Sequence, residues 1–192
     1  MSHRYNPVAL VAALCWLSMA LAPAAVHAQK QGPALAAPSP AKVVESAEIV
    51  NPVIVGSTLE KKPFRLAQLK GKVVLVMFWS TDCAVCRDKM PELRENVQGW
   101  TNKPFEIVLV SVDRSMRDVD SYNAIINKSV PLNQRFTQLW TGDASYQDNL
   151  SSATMSRSQL PMALLIGKDG KVVERFTGRI PADVWDKIAD LL

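Results

Sequence analysis

Histidine is nearly missing from this 192-residue chain: His3 and His27 are its two histidines, and both precede Gln29. Cysteine is almost as scarce, with Cys15, Cys83 and Cys86 making three in all. No run of five or six like charges occurs, so the chain has no basic stripe of the kind that holds nucleic acid. No internal repeat is visible, which sets aside solenoid and propeller architectures.

Positions 1–28 read as an export segment, with the basic start His3-Arg4, a weakly polar to apolar run from Val8 to Ala22, and Pro23 closing it. Val26-His27-Ala28 offers the small residues a signal peptidase needs before Gln29. Cleavage is the expectation and a retained membrane anchor the alternative. Leu14 is too bulky to precede a lipidated Cys15. Cleavage removes both histidines and Cys15, and with them any imidazole for a metal site or a proton shuttle. Of 22 Lys and Arg residues only Arg4 goes, leaving 21 cations against 18 Asp and Glu and a mild excess of +3. An ordinary solvated surface fits that balance.

Residues 29–47 contain Pro33, Pro38 and Pro40 and no apolar periodicity, as expected of a flexible linker. A single domain is predicted over 48–192. The β-branched stretch Ile49–Val55, broken by Pro52, suits an edge strand. Phe64–Leu66 and a turn through Leu69 follow. Val73–Trp79 and Phe105–Val112 are continuous apolar runs, the pattern of strands buried on both faces. Between them Cys86, Met90, Leu93, Val97 and Trp100 share one face of a predicted helix that starts at Cys83. Ser115 and Asp118 resemble a capping box opening a helix towards Asn127. Residues 128–159 are polar and poorly periodic, and read as an insertion with some helix. Ala163–Ile166, the turn Gly167–Gly170 and Lys171–Phe176 predict a β-hairpin, and Pro181 a last helix. Such alternation implies a central sheet with helices packed on both faces.

The most specific feature is Cys83-Ala84-Val85-Cys86, directly after a buried strand and at the start of a helix. A helix N-terminus carries unpaired N–H groups and about half a positive charge, which favour a thiolate placed there. Cys83 is expected at the exposed tip, as the attacking sulfur, and Cys86 one turn on along the apolar face, as the resolving one. The competing reading is half of a zinc site, but structural zinc takes four ligands, and the mature chain offers no other cysteine and no histidine. No metal site and no cofactor is therefore expected.

Gly71–Trp79 followed by Cys83–Leu93, with Leu160-Pro161 and the hairpin Gly167–Val173 downstream, resembles the TlpA/ResA-type thioredoxin-like oxidoreductases over about residues 50–192. That resemblance implies an α/β thioredoxin-like fold: a central mixed sheet flanked by helices, with an N-terminal β-hairpin and a central insertion. It implies dithiol–disulfide exchange outside the cytoplasm, in the periplasm, with protein thiols and disulfides as partners. Apocytochrome c is one candidate, with a membrane electron donor behind the exchange and no membrane insertion of the mature domain. It also implies a cis bond before Pro161, facing the cysteine pair, with the Leu160 backbone offered to the substrate chain, although only about 5–6% of X-Pro bonds are cis in general. Trp79 is a candidate substrate contact, although an aromatic ending a buried strand is more often core.

Three positions depart from the family pattern. Asp82 stands where tryptophan is usual before the first cysteine, Met77 where relatives bury an aspartate or asparagine, and Met162 where threonine is common. Met77 removes a candidate proton acceptor for Cys86. Asp82 opposes the Cys83 thiolate, and Arg87, one turn after Cys83, partly offsets it. A reductant is expected, with a potential below about −200 mV. A Cu(I)-handling protein and a non-catalytic partner-binding module are the alternative functions.

Overall fold

A computed structural model of the protein describes residues 50–192; the expected export segment and the linker 29–47 lie outside them. The core is a five-stranded mixed sheet. Its strands are β3 (Val73–Trp79), β4 (Phe105–Ser111), β5 (Thr137–Trp140), β7 (Met162–Ile166) and β8 (Val172–Thr177), in the spatial order β5-β4-β3-β7-β8. β3, β4 and β5 run parallel, and β7 and β8 complete the other side antiparallel. A smaller antiparallel sheet joins β1 (Ile54–Ser57), β2 (Pro63–Arg65) and β6 (Gln147–Asp148).

β3 is the middle strand, and none of its seven residues is more than 1% exposed. β4 is buried from Ile107 to Ser111. This is the burial that continuous apolar runs demand. The hairpin of β7 and β8 turns at Gly167–Gly170, where Gly170 takes φ +83°, a left-handed backbone that glycine adopts without a Cβ clash.

The helices are α1 (Ala84–Gly99), α2 (Met116–Ser129) and α3 (Val184–Leu191). The connections β3–α1–β4 and β4–α2–β5 both step the same way across the sheet. Right-handed crossovers therefore put both helices on one face. Trp79, on that face, meets the Tyr122 ring of α2 at 5.0 Å. α3 joins them: Trp185 lies 5.8 Å from Trp100 at the end of α1, and Lys187 sits over Phe176. The opposite face carries Val74 and its neighbour Ile166, and the turn Leu66–Leu69 packs beside them. The sheet is thus flanked by helices, but the three α-helices gather on one side where alternation suggested both.

Two further readings are corrected. β1 is the middle of the small sheet, not an edge, because β6 reaches it from the insertion, a partner no local pattern reveals. The segment 128–159 contributes β5, an edge strand of the main sheet; it is four residues long with Leu139 alone buried, too short and too polar to show as a run. Ser115 caps α2 through Arg117 N, at 3.2 Å, and α3 begins at Val184 after a turn from Pro181. α1 runs unbroken past Pro91.

Leu165 is fully buried on β7 opposite Leu75. Leu165→Ala is expected to cost about 2–5 kcal/mol of stability, read from urea unfolding, because the cavity cannot collapse between two strands.

Candidate functional site

The sheet's geometry decides which residues meet. β3 ends at Trp79, and the chain leaves it through Ser80, Thr81 and Asp82 into α1. β4 runs parallel beside it with Trp79 level with Ser111, so residues just past β4 lie beside the loop. β7 runs the other way and begins at Met162 opposite Phe78, which puts Leu160-Pro161 at the same end. The bond before Pro161 is cis. Three separate chain segments therefore converge where the cysteine loop leaves the core.

Cys83 is the N-cap of α1, with extended backbone, and its amide donates to Ser80 O at 3.1 Å. Its sulfur accepts the Cys86 amide at 3.1 Å, the bond a serine or aspartate oxygen makes at an ordinary N-cap. The sulfur thus takes one of the N–H groups that a helix start leaves unpaired. Cys83 is half-buried and flanked by exposed Ala84 and Val85, whereas Cys86 is fully buried with Met90 and Leu93 on the inner face of α1. The two are joined in a disulfide, with Cα atoms 5.2 Å apart.

Asp82 is exposed beside Cys83. One of its oxygens accepts from Ser80 Oγ at 2.5 Å, and the other pairs with the guanidinium of Arg157. Arg157 belongs to the 3-10 turn Arg157–Gln159 that runs into Leu160, so the pair ties the cysteine loop to the proline loop. Arg87 is exposed on the first turn of α1, and its amide donates to Cys83 O. Leu160 and Pro161 are both buried, and Pro161 O accepts the amide of Gly178 at 2.8 Å.

Trp79 is not part of this surface. It is fully buried against Tyr122, and its position as the last residue of the central strand turns the indole into the helix face of the core. Met77 is likewise fully buried, and a thioether offers no useful proton acceptor.

Three features escaped the sequence reading. Arg157 sits in the poorly patterned insertion and meets Asp82 only through folding. Asp113, 4% exposed, accepts Thr81 N at 3.0 Å, Thr81 Oγ1 at 2.7 Å and Ser111 Oγ at 2.7 Å. A signal for it existed: an acidic residue directly after a buried strand parallel to β3 must lie at the same sheet end as the cysteines. Lys89, one turn after Cys86, donates to Glu92 at 2.7 Å and to Ile180 O at 3.0 Å, and Trp185 Nε1 donates to the same Glu92 oxygen. This cluster fastens α1 to the segment between β8 and α3.

The family model of the AhpC/TSA family matches residues 50–183. Thiol-disulfide oxidoreductase ResA of Bacillus cereus is 32% identical over 127 residues, covering 66% of this chain and 67% of that protein. ResA of Bacillus subtilis is 32% identical over 117 residues, covering 61% of this chain and 59% of its own length. Among solved structures, the thioredoxin domain of a thiol-disulfide oxidoreductase from Bacteroides vulgatus superposes with TM-score 0.56 at 26% identity, over 76% of this chain and 97% of that one. A thiol:disulfide interchange protein of Chlorobium tepidum TLS shares the fold at TM-score 0.57 and 20% identity, over 76% and 97% of the two chains.

Two outcomes test the surroundings of the pair. Arg157→Gln leaves the Asp82 charge unpaired beside Cys83 and is expected to slow alkylation of reduced Cys83 near neutral pH. An exposed pair of this kind is worth at most about 1 kcal/mol, so the change should not exceed about fivefold and should fade in 1 M salt. Burial raises the Glu92 pKa, but the hydrogen bonds from Lys89 and Trp185 and the Lys89 charge outweigh it and hold the carboxyl below its ordinary value. The stability this gives is present above about pH 4.5 and is lost as pH falls through the lowered value. The Glu92 side chain is 40% exposed, so solvent screening weakens the contribution. Glu92→Gln is therefore expected to lose no more than about 1 kcal/mol at pH 7, the difference from the parent shrinking as pH falls below about 4.5, by urea unfolding across that range.

Proposed function

The chain belongs to the AhpC/TSA family and is a thiol–disulfide oxidoreductase, and from that premise we propose that Cys83 attacks partner disulfides and Cys86 resolves the product. The observation that carries this assignment is the placement of the two sulfurs. That of Cys83 caps α1 on a half-buried residue, and Cys86 is enclosed one turn behind it.

In the reduced protein the Cys83 thiolate attacks one sulfur of a partner disulfide. A Cys83–partner disulfide forms and the other partner sulfur leaves as a thiolate, which takes up a proton. Cys86, having given up its proton, then attacks the Cys83 sulfur and re-forms the intramolecular disulfide. The second partner thiolate leaves and is protonated in turn. Two electrons and two protons have passed to the partner, and an external dithiol must return them. The Leu160 backbone, at the sheet end where the cysteine loop begins, is proposed as the edge along which the partner chain lies, with Pro161 shaping it.

The physiological direction is proposed to be reduction, since neutral Ala84 and Val85 separate the cysteines and residues 50–192 contain no histidine to support the thiolate. The export-like segment 1–28 supports work in the periplasm on exported cysteine proteins, with a membrane dithiol as the electron source. Apocytochrome c fits this class of partner.

Cys86→Ser is expected to accumulate a mixed disulfide through Cys83 with a disulfide substrate such as insulin, and Cys83→Ser to accumulate none. Faster alkylation of Cys86 than of Cys83 in the reduced parent at pH 7 reverses the assignment.

A further inference from the structure

Asp113 is a buried carboxylate without a cationic partner among the described residues. Its two oxygens receive four contacts. Thr81 N donates to both, at 3.0 and 3.1 Å, Thr81 Oγ1 donates to one at 2.7 Å, and Ser111 Oγ donates to the other at 2.7 Å. Every contact is a donor, the set that an ionised carboxylate takes. The same residue is also held through its backbone, whose amide donates to Ser111 Oγ at 3.1 Å and whose carbonyl accepts Trp140 Nε1 at 2.7 Å. The carboxylate is therefore fixed in place as well as enclosed.

Thr81, which takes most of these bonds, is two residues before Cys83. Two residues span at most about 7 Å, so the start of α1 lies within roughly 10 Å of this charge. The remaining charges near the cysteine loop are differently placed. Asp82 is exposed and neutralised by Arg157. Arg87 and Asp88 are exposed on the first turn of α1, where water and salt screen them. Lys89 is engaged by Glu92 and Ile180 O. Among the described residues Asp113 alone combines burial with an unneutralised charge, the adjacent Arg114 being exposed, so its field reaches the cysteine sulfur least screened.

Resting on the exchange reading above, we propose that Asp113 is a positioning residue with a second duty: it anchors the cysteine loop through Thr81, and its fixed negative charge disfavours the Cys83 thiolate. A disfavoured thiolate leaves the dithiol form less stable and the disulfide form favoured, which makes the pair more reducing. The charge opposes what a helix N-terminus alone would do, and it places the control of redox poise on the exit of β4 rather than between the cysteines.

The test compares Asp113→Asn, nearly the same shape without the charge, with Thr81→Val, which removes one anchoring donor and keeps the charge. Thermal melting establishes that each variant folds. For Asp113→Asn the midpoint of the pH dependence of Cys83 alkylation is expected to fall by about 0.5–1 pH unit. Its glutathione equilibrium should shift about three- to tenfold towards the dithiol, where tenfold is about 30 mV for this two-electron couple. Thr81→Val should leave both readings in place. An unmoved or raised midpoint in Asp113→Asn, or the same shift in Thr81→Val, overturns the proposal, the latter because anchoring would then account for the effect. Should Asp113→Asn not fold, the parent protein decides: a midpoint that holds between about 0.05 and 1 M salt supports a buried charge, and one that moves by about half a unit or more assigns the control to the exposed Asp82 and Arg87. Alkylation needs no partner, so these outcomes are separate from the exchange reading, which fails if the parent does not equilibrate with glutathione at all.

Discussion

Burial of β3 along its whole length is the constraint from which the site follows. A strand with both faces covered has no freedom to slide, since a one-residue slip would exchange the two sets of side chains that pack on opposite sides. Its end at Trp79 is therefore a fixed point, and the cysteine loop leaves from there. The parallel neighbour β4 brings Asp113 to the same level, and the antiparallel neighbour β7 begins there with Pro161. A mixed sheet is what allows one strand's exit to be met by another's exit on one side and a third's entrance on the other. With all strands parallel, the Pro161 segment would be at the opposite end of the sheet.

Around that point, charge is arranged in two layers of different strength. The outer layer is exposed: Asp82 with Arg157, Arg87 and Asp88, all screened by solvent and each worth little alone. The inner layer is the helix terminus, whose amide at Cys86 points at the Cys83 sulfur, and the enclosed carboxylate behind Thr81. Low local dielectric strengthens the inner contributions and leaves the outer ones nearly unchanged. Substitutions at the rim therefore suit adjustment to a partner's charge, whereas the balance between thiolate and thiol is held inside.

The amino-acid sequence discloses the parts of this arrangement that are local. An apolar run of seven residues declares β3, helical spacing declares the buried face of α1, and two cysteines three apart at a helix start declare the chemistry. The resemblance carried in the Leu160-Pro161 pair anticipated the cis bond. What stayed hidden is tertiary. β5 and β6 are short strands whose stability comes from their neighbours, so neither has a pattern of its own. Arg157 is distant from Asp82 along the chain and finds it only because the insertion folds back over the sheet end. Trp79 was legible as a strand end and, on balance, as core; what covers it, Tyr122 of α2, was not.

The fold also explains why the cysteine pair is free to cycle. A bridge between residues three apart closes a very small loop, and the chain-entropy argument credits it with only about 2 kcal/mol, at the low end for disulfides. Cys86 is one member of the large apolar core, which runs from Ile54 to Ile188, and Cys83 packs against it, so the core rests on many side chains besides the bridge. Opening the bridge therefore costs little of what holds the domain together, and α1 keeps its Met90 and Leu93 contacts with Cys86 still enclosed. Enclosure in turn confines the second sulfur's reactivity. On the proposed roles a partner meets the half-buried Cys83, and the enclosed Cys86 has only the Cys83 sulfur of the mixed disulfide as its target. The resolving step is thereby made intramolecular, where a modest nucleophile is sufficient because its target is held one helical turn away. This relaxes the need for a dedicated buried base and is consistent with a methionine occupying position 77.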